Sequence, residues 1–115
     1  MATKNFKDEE FACKCGCGFM SPNPKLLSLL EAIRSALGNH PIHVNSGCRC
    51  ADHNWDVGGA KNSQHILGNA ADIRSDRATP EEISFIANEI LGPSGGVKAY
   101  DTFCHVDVRA GYWRG

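Results

Sequence analysis

The chain has 115 residues, which is enough for one domain with a single hydrophobic core, and its hydrophobic fraction of 42% is ordinary for a globular protein. Its 12 basic and 13 acidic residues give a formal net charge of −1, so its overall charge does not favour nucleic acid or an anionic membrane as a partner. No apolar run approaches the roughly 20 residues of a membrane-spanning helix, and the N-terminus lacks the apolar core of a signal peptide. We therefore expect one domain over residues 1–115, monomeric, and cytoplasmic unless another protein exports it.

Capping residues and helical periodicity predict two helices. The first begins at Pro24, directly after turn and cap residues, and runs to Leu37, where Gly38 ends it. The second begins at Pro80, with Thr79 as its cap, and it runs to about Leu91 before Gly92-Pro93. The side chains of the second helix that are expected to face the core are Ile83, Ile86, Ala87 and Ile90.

Alternating apolar and polar residues predict four short strands. They lie at residues 41–46, 69–74, 97–100 and 103–109, and the last two are expected to pair across a tight turn. The polar, glycine-rich stretch between the first two strands is predicted to be a loop that forms one wall of a functional site. Near the N-terminus, Phe6 and Phe11 are expected to dock on the core. Two helices packed against a small, mostly antiparallel sheet make this an α+β fold.

Six cysteines are many for this length. Because no signal peptide is recognised, reduced thiols or a bound metal are favoured over a disulfide framework. The C-x-C spacing is tighter than that of the usual zinc knuckle, so two interpretations stay open. One is a set of small buried hydrophobic residues with an optional disulfide between the two clusters. The other is a structural zinc on Cys13, Cys15, Cys17, Cys48 and Cys50.

Three residues with metal-binding side chains form the candidate site. His65 and Asp72 lie on either side of a turn in which Gly68 is expected to take a positive φ. An imidazole and a carboxylate are two of the three protein ligands of a catalytic zinc, whose fourth position goes to water. His105, on a predicted strand that places Asp107 on the same face, is the candidate third ligand. The alternative for an isolated His–Asp pair is a structural hydrogen bond.

Three motifs that contain these residues occur in one order and with compatible separations. They are Ser46-Gly47-Cys48-Arg49, then Ser63-x-His65-x-x-Gly68-x-Ala70-x-Asp72, then His105-x-Asp107-x-Arg109. Together they resemble the zinc D-Ala-D-Ala carboxypeptidase family of metallopeptidases, which includes bacterial cell-wall carboxypeptidases and dipeptidases and the endolysins of phages. The likeness extends from about Phe6 to Trp113 and implies the α+β fold shared by hedgehog and DD-peptidase domains.

The resemblance implies a role for each matching residue. It makes His65, Asp72 and His105 the ligands of one catalytic Zn²⁺ and makes Arg49 a catalytic residue that also binds substrate. A guanidinium suits that role, since it offers paired donors to a developing oxyanion or a terminal carboxylate. The alternative for Arg49 is a surface arginine stacked over the neighbouring loop. Two further residues are expected at the substrate cleft, namely Ser63 and Tyr100.

The general base does not follow from the motifs. Many relatives place a glutamate three residues before the last histidine or a histidine two residues before it, and here neither position holds a residue that can act as a base. The nearby carboxylates are Asp107 and, in the preceding turn, Asp101. A base must lie within hydrogen-bond reach of the metal-bound water, and strand parity favours Asp107. The alternative role for Asp107 is to hold a ligand histidine or Arg109 in place.

The ligand set and the family resemblance together imply a zinc peptidase that hydrolyses a peptide bond in peptidoglycan stem peptides. It would be a D-Ala-D-Ala carboxypeptidase or an endolysin-type endopeptidase that acts on the cell wall once released or exported. A non-catalytic module that binds cell-wall peptides, or a phage structural part on the same fold, is the alternative, and the missing usual base favours it. A third hypothesis is a redox or structural-metal protein whose function depends on the cysteines.

Overall fold

The structure, a computed structural model, describes residues 3–59 and 63–115. After a short 3₁₀ helix at Asp8–Phe11, helices and strands alternate irregularly along the chain. In order they are α1 (Pro24–Ala36), β1 (His43–Ser46), α2 (Ala51–Asp56), β2 (Ala70–Arg74), α3 (Pro80–Leu91), β3 (Gly95–Ala99), β4 (Cys104–Asp107) and β5 (Tyr112–Arg114). No helix in the described part of the chain has the length and apolar character needed to cross a membrane.

The strands form one five-stranded sheet in the order β1-β2-β4-β3-β5. All neighbours are antiparallel except β3 and β5, which run parallel. Helix α3 packs on β3 and β4, and α1 packs on α3. The α+β class with a mostly antiparallel sheet is therefore confirmed.

The two faces of the sheet have different roles. Ala71 and Ile73 of β2 and Val106 of β4 are buried in the hydrophobic core beneath the helices. Because successive side chains of a strand point to opposite faces, Asp72 and His105 lie on the other face. The core therefore fixes β2 and β4 from one side while their polar residues face a cleft on the other.

The two predicted helices, α1 and α3, begin where the sequence predicts. Asn23 caps α1 by accepting a hydrogen bond from the backbone amide of Lys25, and Thr79 caps α3 with a reciprocal bond involving Glu82. One predicted core position is wrong, because Ile90 is 43% exposed on the last turn of α3. Phe6 and Phe11 are buried in the core, as expected.

Besides the short 3₁₀ helix at Asp8–Phe11, the sequence does not predict helix α2 or strand β5. Helix α2 lies inside the predicted loop, and its single buried residue is Asn54, so it carries no apolar periodicity that could have indicated a helix. Strand β5 has three residues and pairs in parallel with β3, from which β4 separates it along the chain. Both elements depend on contacts that a local pattern does not encode.

The turn before β2 is docked against the start of α1. Gly68 has φ 73°, as predicted, and its carbonyl accepts a hydrogen bond of 2.8 Å from the amide of Asn23. A β-carbon at Gly68 would collide with the carbonyl oxygen of Ser21. Glycine is therefore required for both its backbone angle and its small size.

Candidate metal centre

Strand pairing and the turn bring the three candidate ligands together. Asp72 of β2 and His105 of β4 are directly paired across the sheet, so their side chains are neighbours on the cleft face. The distance from Asp72 Oδ1 to His105 Nδ1 is 3.0 Å, and that from Asp72 Oδ1 to His65 Nε2 is 3.3 Å. The three ligand atoms all lie within 4.8 Å of one another, which fits a single ion bound between them.

The tautomer of His65 also suits a metal. Its Nδ1 lies 2.6 Å from the carbonyl oxygen of Gly47, which can only accept, so Nδ1 carries the proton. The lone pair of Nε2 is then free and directed toward Asp72. A backbone carbonyl that holds the other ring nitrogen of a ligand histidine is a recurrent arrangement in metal sites.

His105 is held in the complementary way by a carboxylate. Its Nε2 lies 2.8 Å from Asp107 Oδ2, while its Nδ1 faces Asp72. Burial alone would lower the pKa of His105, but its hydrogen bonds with Asp107 and Asp72 outweigh burial and raise that pKa. Burial would likewise raise the pKa of Asp72, yet the hydrogen bond from His105 and the charge of that imidazole hold the Asp72 pKa well below its ordinary value. A cation bound here would replace the proton on Nδ1 of His105 and retain the Asp72 carboxylate.

Asp107 is fully enclosed, and its oxygens are all engaged. Oδ2 accepts from His105 Nε2 and from Arg109 Nη2 at 2.7 Å, and Oδ1 accepts from the backbone amide and Nε of Arg109 at 3.1 and 2.8 Å. A β-carbon at Gly96, its partner on β3, would overlap this carboxylate. Although burial would raise the pKa of Asp107, the bonds from His105 and Arg109 keep it well below its ordinary value. A carboxylate with so low a pKa and no free lone pair is a poor proton acceptor.

Arg49 lies beside the three ligands and is fixed by groups from three segments. Its Nη2 is 3.4 Å from Asp72 Oδ2, its Nη1 donates to Asn54 Oδ1 at 3.1 Å, and its Nε donates to Ser46 Oγ at 3.3 Å. Its side chain is 14% exposed, so it is not a surface residue stacked over the loop. Asn54 was not assigned to the site from the sequence, because helix α2 was not predicted there.

The ligands open into a cleft of about 470 Å³. Of the predicted substrate residues, Ser63 lines it and accepts a hydrogen bond of 3.2 Å from the amide of His65, and Tyr100 lines it while stacked on Phe103. Trp113 also lines it, with its ring edge-on to His105 at 5.7 Å between centroids. From the sequence, Trp113 was expected only to anchor the C-terminal tail by hydrophobic packing. Asp101, the second candidate base, is exposed and is not among the described residues that line the cleft.

Four cysteines lie together at a second place. The sulfur of Cys13 is 3.4 Å from that of Cys15 and 3.8 Å from that of Cys50, and those of Cys15 and Cys50 are 3.6 Å apart. Cys17 completes this group, which we call the thiol cluster, and all four sulfurs lie within 4.8 Å of one another. The prediction that Cys48 belongs to this group is wrong, because Cys48 is buried in the hydrophobic core. Burial there raises the pKa of the Cys48 thiol. All six cysteines of the chain are free thiols.

The described residues bring two histidines and one carboxylate together on an α+β fold, an arrangement that suits a bound metal ion. The profile of the peptidase M15 family matches residues 4–107, so the chain belongs to that family. It is 39% identical over 82 residues to the zinc D-Ala-D-Ala carboxypeptidase of Streptomyces albus G. That alignment covers 67% of this chain but 31% of the relative, so the chain spans about a third of that protein's length. The family resemblance stated from the three motifs is therefore confirmed.

Proposed function

We propose that this protein is a zinc-dependent peptidase that hydrolyses a peptide bond in peptidoglycan stem peptides. The observation that carries this proposal is the convergence of His65, Asp72 and His105 at the base of a cleft, with Arg49 beside them. Membership of a peptidase family and the name of the Streptomyces relative support the reaction and the substrate. The same observations are compatible with a D-Ala-D-Ala carboxypeptidase and with an endolysin-type endopeptidase, acting as a monomer on the cell wall after release or export.

His65 Nε2, His105 Nδ1 and one oxygen of Asp72 would hold the Zn²⁺. Two histidines and one carboxylate leave a fourth coordination position open, which is the pattern of catalytic rather than structural zinc sites. When bound, zinc lowers the pKa of a coordinated water to about 7 and polarises the carbonyl of a substrate. The hydrogen bond from His65 to the Gly47 carbonyl and that from His105 to Asp107 keep both imidazoles oriented for this role.

Arg49 would bind the substrate. Its guanidinium is held by Asn54 and Ser46 and faces the cleft next to Asp72, so its remaining donors are available to a substrate oxygen. A fixed guanidinium stabilises the charge that develops on a peptide carbonyl during hydrolysis, or it binds the terminal carboxylate of a short peptide. Tyr100 and Trp113 would provide apolar walls for the peptide, and Ser63 would orient His65 through its backbone amide.

Asp107 would position His105 rather than accept the proton of the attacking water. Its oxygens are occupied by His105 and Arg109, and its carboxylate is fully buried behind the imidazole. Of the two roles that the sequence left open, these contacts support the positioning role. The cleft-lining residues in the described part of the chain include one carboxylate, Asp72, which is itself a proposed ligand.

The experiment that tests this proposal compares the wild-type protein with His65→Ala. Both are dialysed, analysed for zinc by elemental mass spectrometry, and incubated with purified peptidoglycan while new amino groups are measured. We expect the wild-type protein to release new amino groups. The His65→Ala variant should release none and should contain one zinc fewer per chain. Binding of peptidoglycan without new amino groups would instead support a non-catalytic module. The observation that favours this alternative is that the described cleft-lining residues include no carboxylate besides Asp72 that could act as a general base.

A further inference from the structure

The sulfur atoms of the thiol cluster are spaced as four ligands of one metal ion would be. Three of their separations are 3.4, 3.6 and 3.8 Å. A tetrahedral zinc with Zn–S bonds of about 2.3 Å places its sulfurs about 3.8 Å apart, whereas bonded sulfurs of a disulfide lie about 2.05 Å apart. The observed distances therefore match a tetrathiolate site and not a disulfide.

The local chain conformation creates this convergence. In an extended strand, alternate residues are about 6.7 Å apart, so a C-x-C-x-C segment would not bring its sulfurs together. Here Gly16 and Gly18 have φ 82° and 89°, and the amide of Gly16 bonds the carbonyl of Cys13 at 3.2 Å. The amide of Cys13 also bonds the carbonyl of Phe19 at 2.7 Å, which closes the loop around the three thiols. The glycines between and after the cysteines allow both turns.

Cys50 reaches the same point from a different part of the chain. Its sulfur caps helix α2 by accepting the amide of His53 at 3.4 Å, and its own amide donates to the sulfur of Cys13 at 3.4 Å. Cys15 and Cys17 are exposed, so the cluster is not a set of buried hydrophobic residues, and a metal ion can enter from solvent. Exposed, unligated thiols held this close together would be prone to oxidation.

We propose that Cys13, Cys15, Cys17 and Cys50 form a second Zn²⁺ site, which is structural. Four protein ligands leave no open coordination position, which distinguishes this site from the His–Asp–His centre. The metal would tie the N-terminal loop to the segment 47–50. That segment also holds the Gly47 carbonyl bonded to His65 and the backbone of Arg49, whose amide bonds the carbonyl of His65 at 3.0 Å. The second zinc thereby fixes one wall of the cleft without contacting substrate.

The test uses the 115-residue chain with His65→Ala, so that the second site is measured without the first and independently of any peptidase activity. Purified under reducing conditions with added zinc and then dialysed, it is expected to retain about one zinc per chain. Adding Cys50→Ser should remove most of that zinc, and serine remains a good N-cap, so loss of α2 would not be the cause. Cys48→Ala in the same background is the matched control and should keep the zinc. A His65→Ala protein without zinc, or one that loses zinc with Cys48→Ala but not with Cys50→Ser, would overturn the proposal.

Two further readouts identify the ligands directly. With Co²⁺ in place of zinc, the His65→Ala protein should show the intense near-ultraviolet charge-transfer absorption of thiolate–cobalt bonds, and Cys17→Ser should weaken it. A thiol reagent should modify Cys15 and Cys17 slowly in the zinc form and rapidly after a chelator is added. Rapid modification before chelation, or an intact mass lower by the hydrogens lost to a disulfide, would contradict a metal site.

Discussion

Replacing Asp107 with asparagine separates the two roles that a carboxylate beside a zinc ligand can have. In the structure Asp107 accepts the Nε2 proton of His105 at 2.8 Å and is clamped by Arg109 at 2.7 and 2.8 Å. Asparagine keeps the size of the side chain but removes its charge and one acceptor oxygen. If Asp107 positions His105, the change weakens the hold on the imidazole and therefore weakens zinc binding.

The expected magnitude follows from this contact. Loss of an outer partner of a ligand histidine typically lowers metal affinity about 10- to 100-fold, which corresponds to about 1.4–2.7 kcal/mol. Loss of a general base instead leaves the metal bound and lowers turnover by about 10²- to 10⁴-fold. We therefore expect Asp107→Asn to bind zinc 10- to 100-fold more weakly and to regain most of its peptidase activity at saturating zinc.

The assay is a zinc titration against a competing chelator, followed by peptidase rates at increasing zinc concentration. Asp101→Asn is the control, since it removes an exposed carboxylate from the preceding turn. It should change neither zinc affinity nor turnover. Unchanged zinc affinity with a large loss of turnover at saturating zinc would refute the positioning role of Asp107, and the same result for Asp101→Asn would assign the base to Asp101.

Three other predictions follow from the site and its supporting turn. Although burial would lower the pKa of His105, its hydrogen bonds to two carboxylates raise that pKa above the ordinary 6.5. The contribution of His105 to the stability of the metal-free fold should therefore be full just below pH 6.5 and be lost as pH rises through the raised pKa. Thermal melts of chelator-treated protein at increasing pH from 6.5 would show this loss, and a melting temperature that rises over that range would contradict it. Gly68→Ala should destabilise the protein by more than the roughly 1–2 kcal/mol that the left-handed backbone costs an alanine, because its β-carbon also collides with a backbone carbonyl. Gly58→Ala, at φ 70° with open space around its β-carbon, should lose only that backbone contribution. Urea unfolding compares the two, and equal losses would disprove the steric contribution. Arg49→Lys should keep its zinc and lower kcat/KM about 10²-fold, since an ammonium cannot reproduce the paired donors; a rate equal to wild type would remove Arg49 from the proposed mechanism.

Local signals in the sequence determined helices α1 and α3, the main strands and the strand faces on which the candidate ligands lie. A proline after an asparagine or threonine cap fixed the starts of α1 and α3, because capping is decided within a few residues. Alternation in β2 and β4 placed Asp72 and His105 on faces that the pairing then brought together, and Gly68 marked the turn that returns His65 to them. The family resemblance depended on the same short motifs.

Tertiary structure alone decided which other groups surround these residues. Asn54 contacts Arg49 because Cys50 caps a helix that has no apolar periodicity. Trp113 reaches His105 because β5 pairs in parallel with β3, which is not its neighbour along the chain. Strand parity left Asp107 as either the general base or a residue that positions His105, and its contacts with Arg109 and His105 favour the positioning role. The four thiols of the cluster come from segments more than 30 residues apart, with Cys48 excluded by its place in the core. Periodicity and capping act over one or two turns of chain, whereas these contacts depend on how the packed elements are oriented in space.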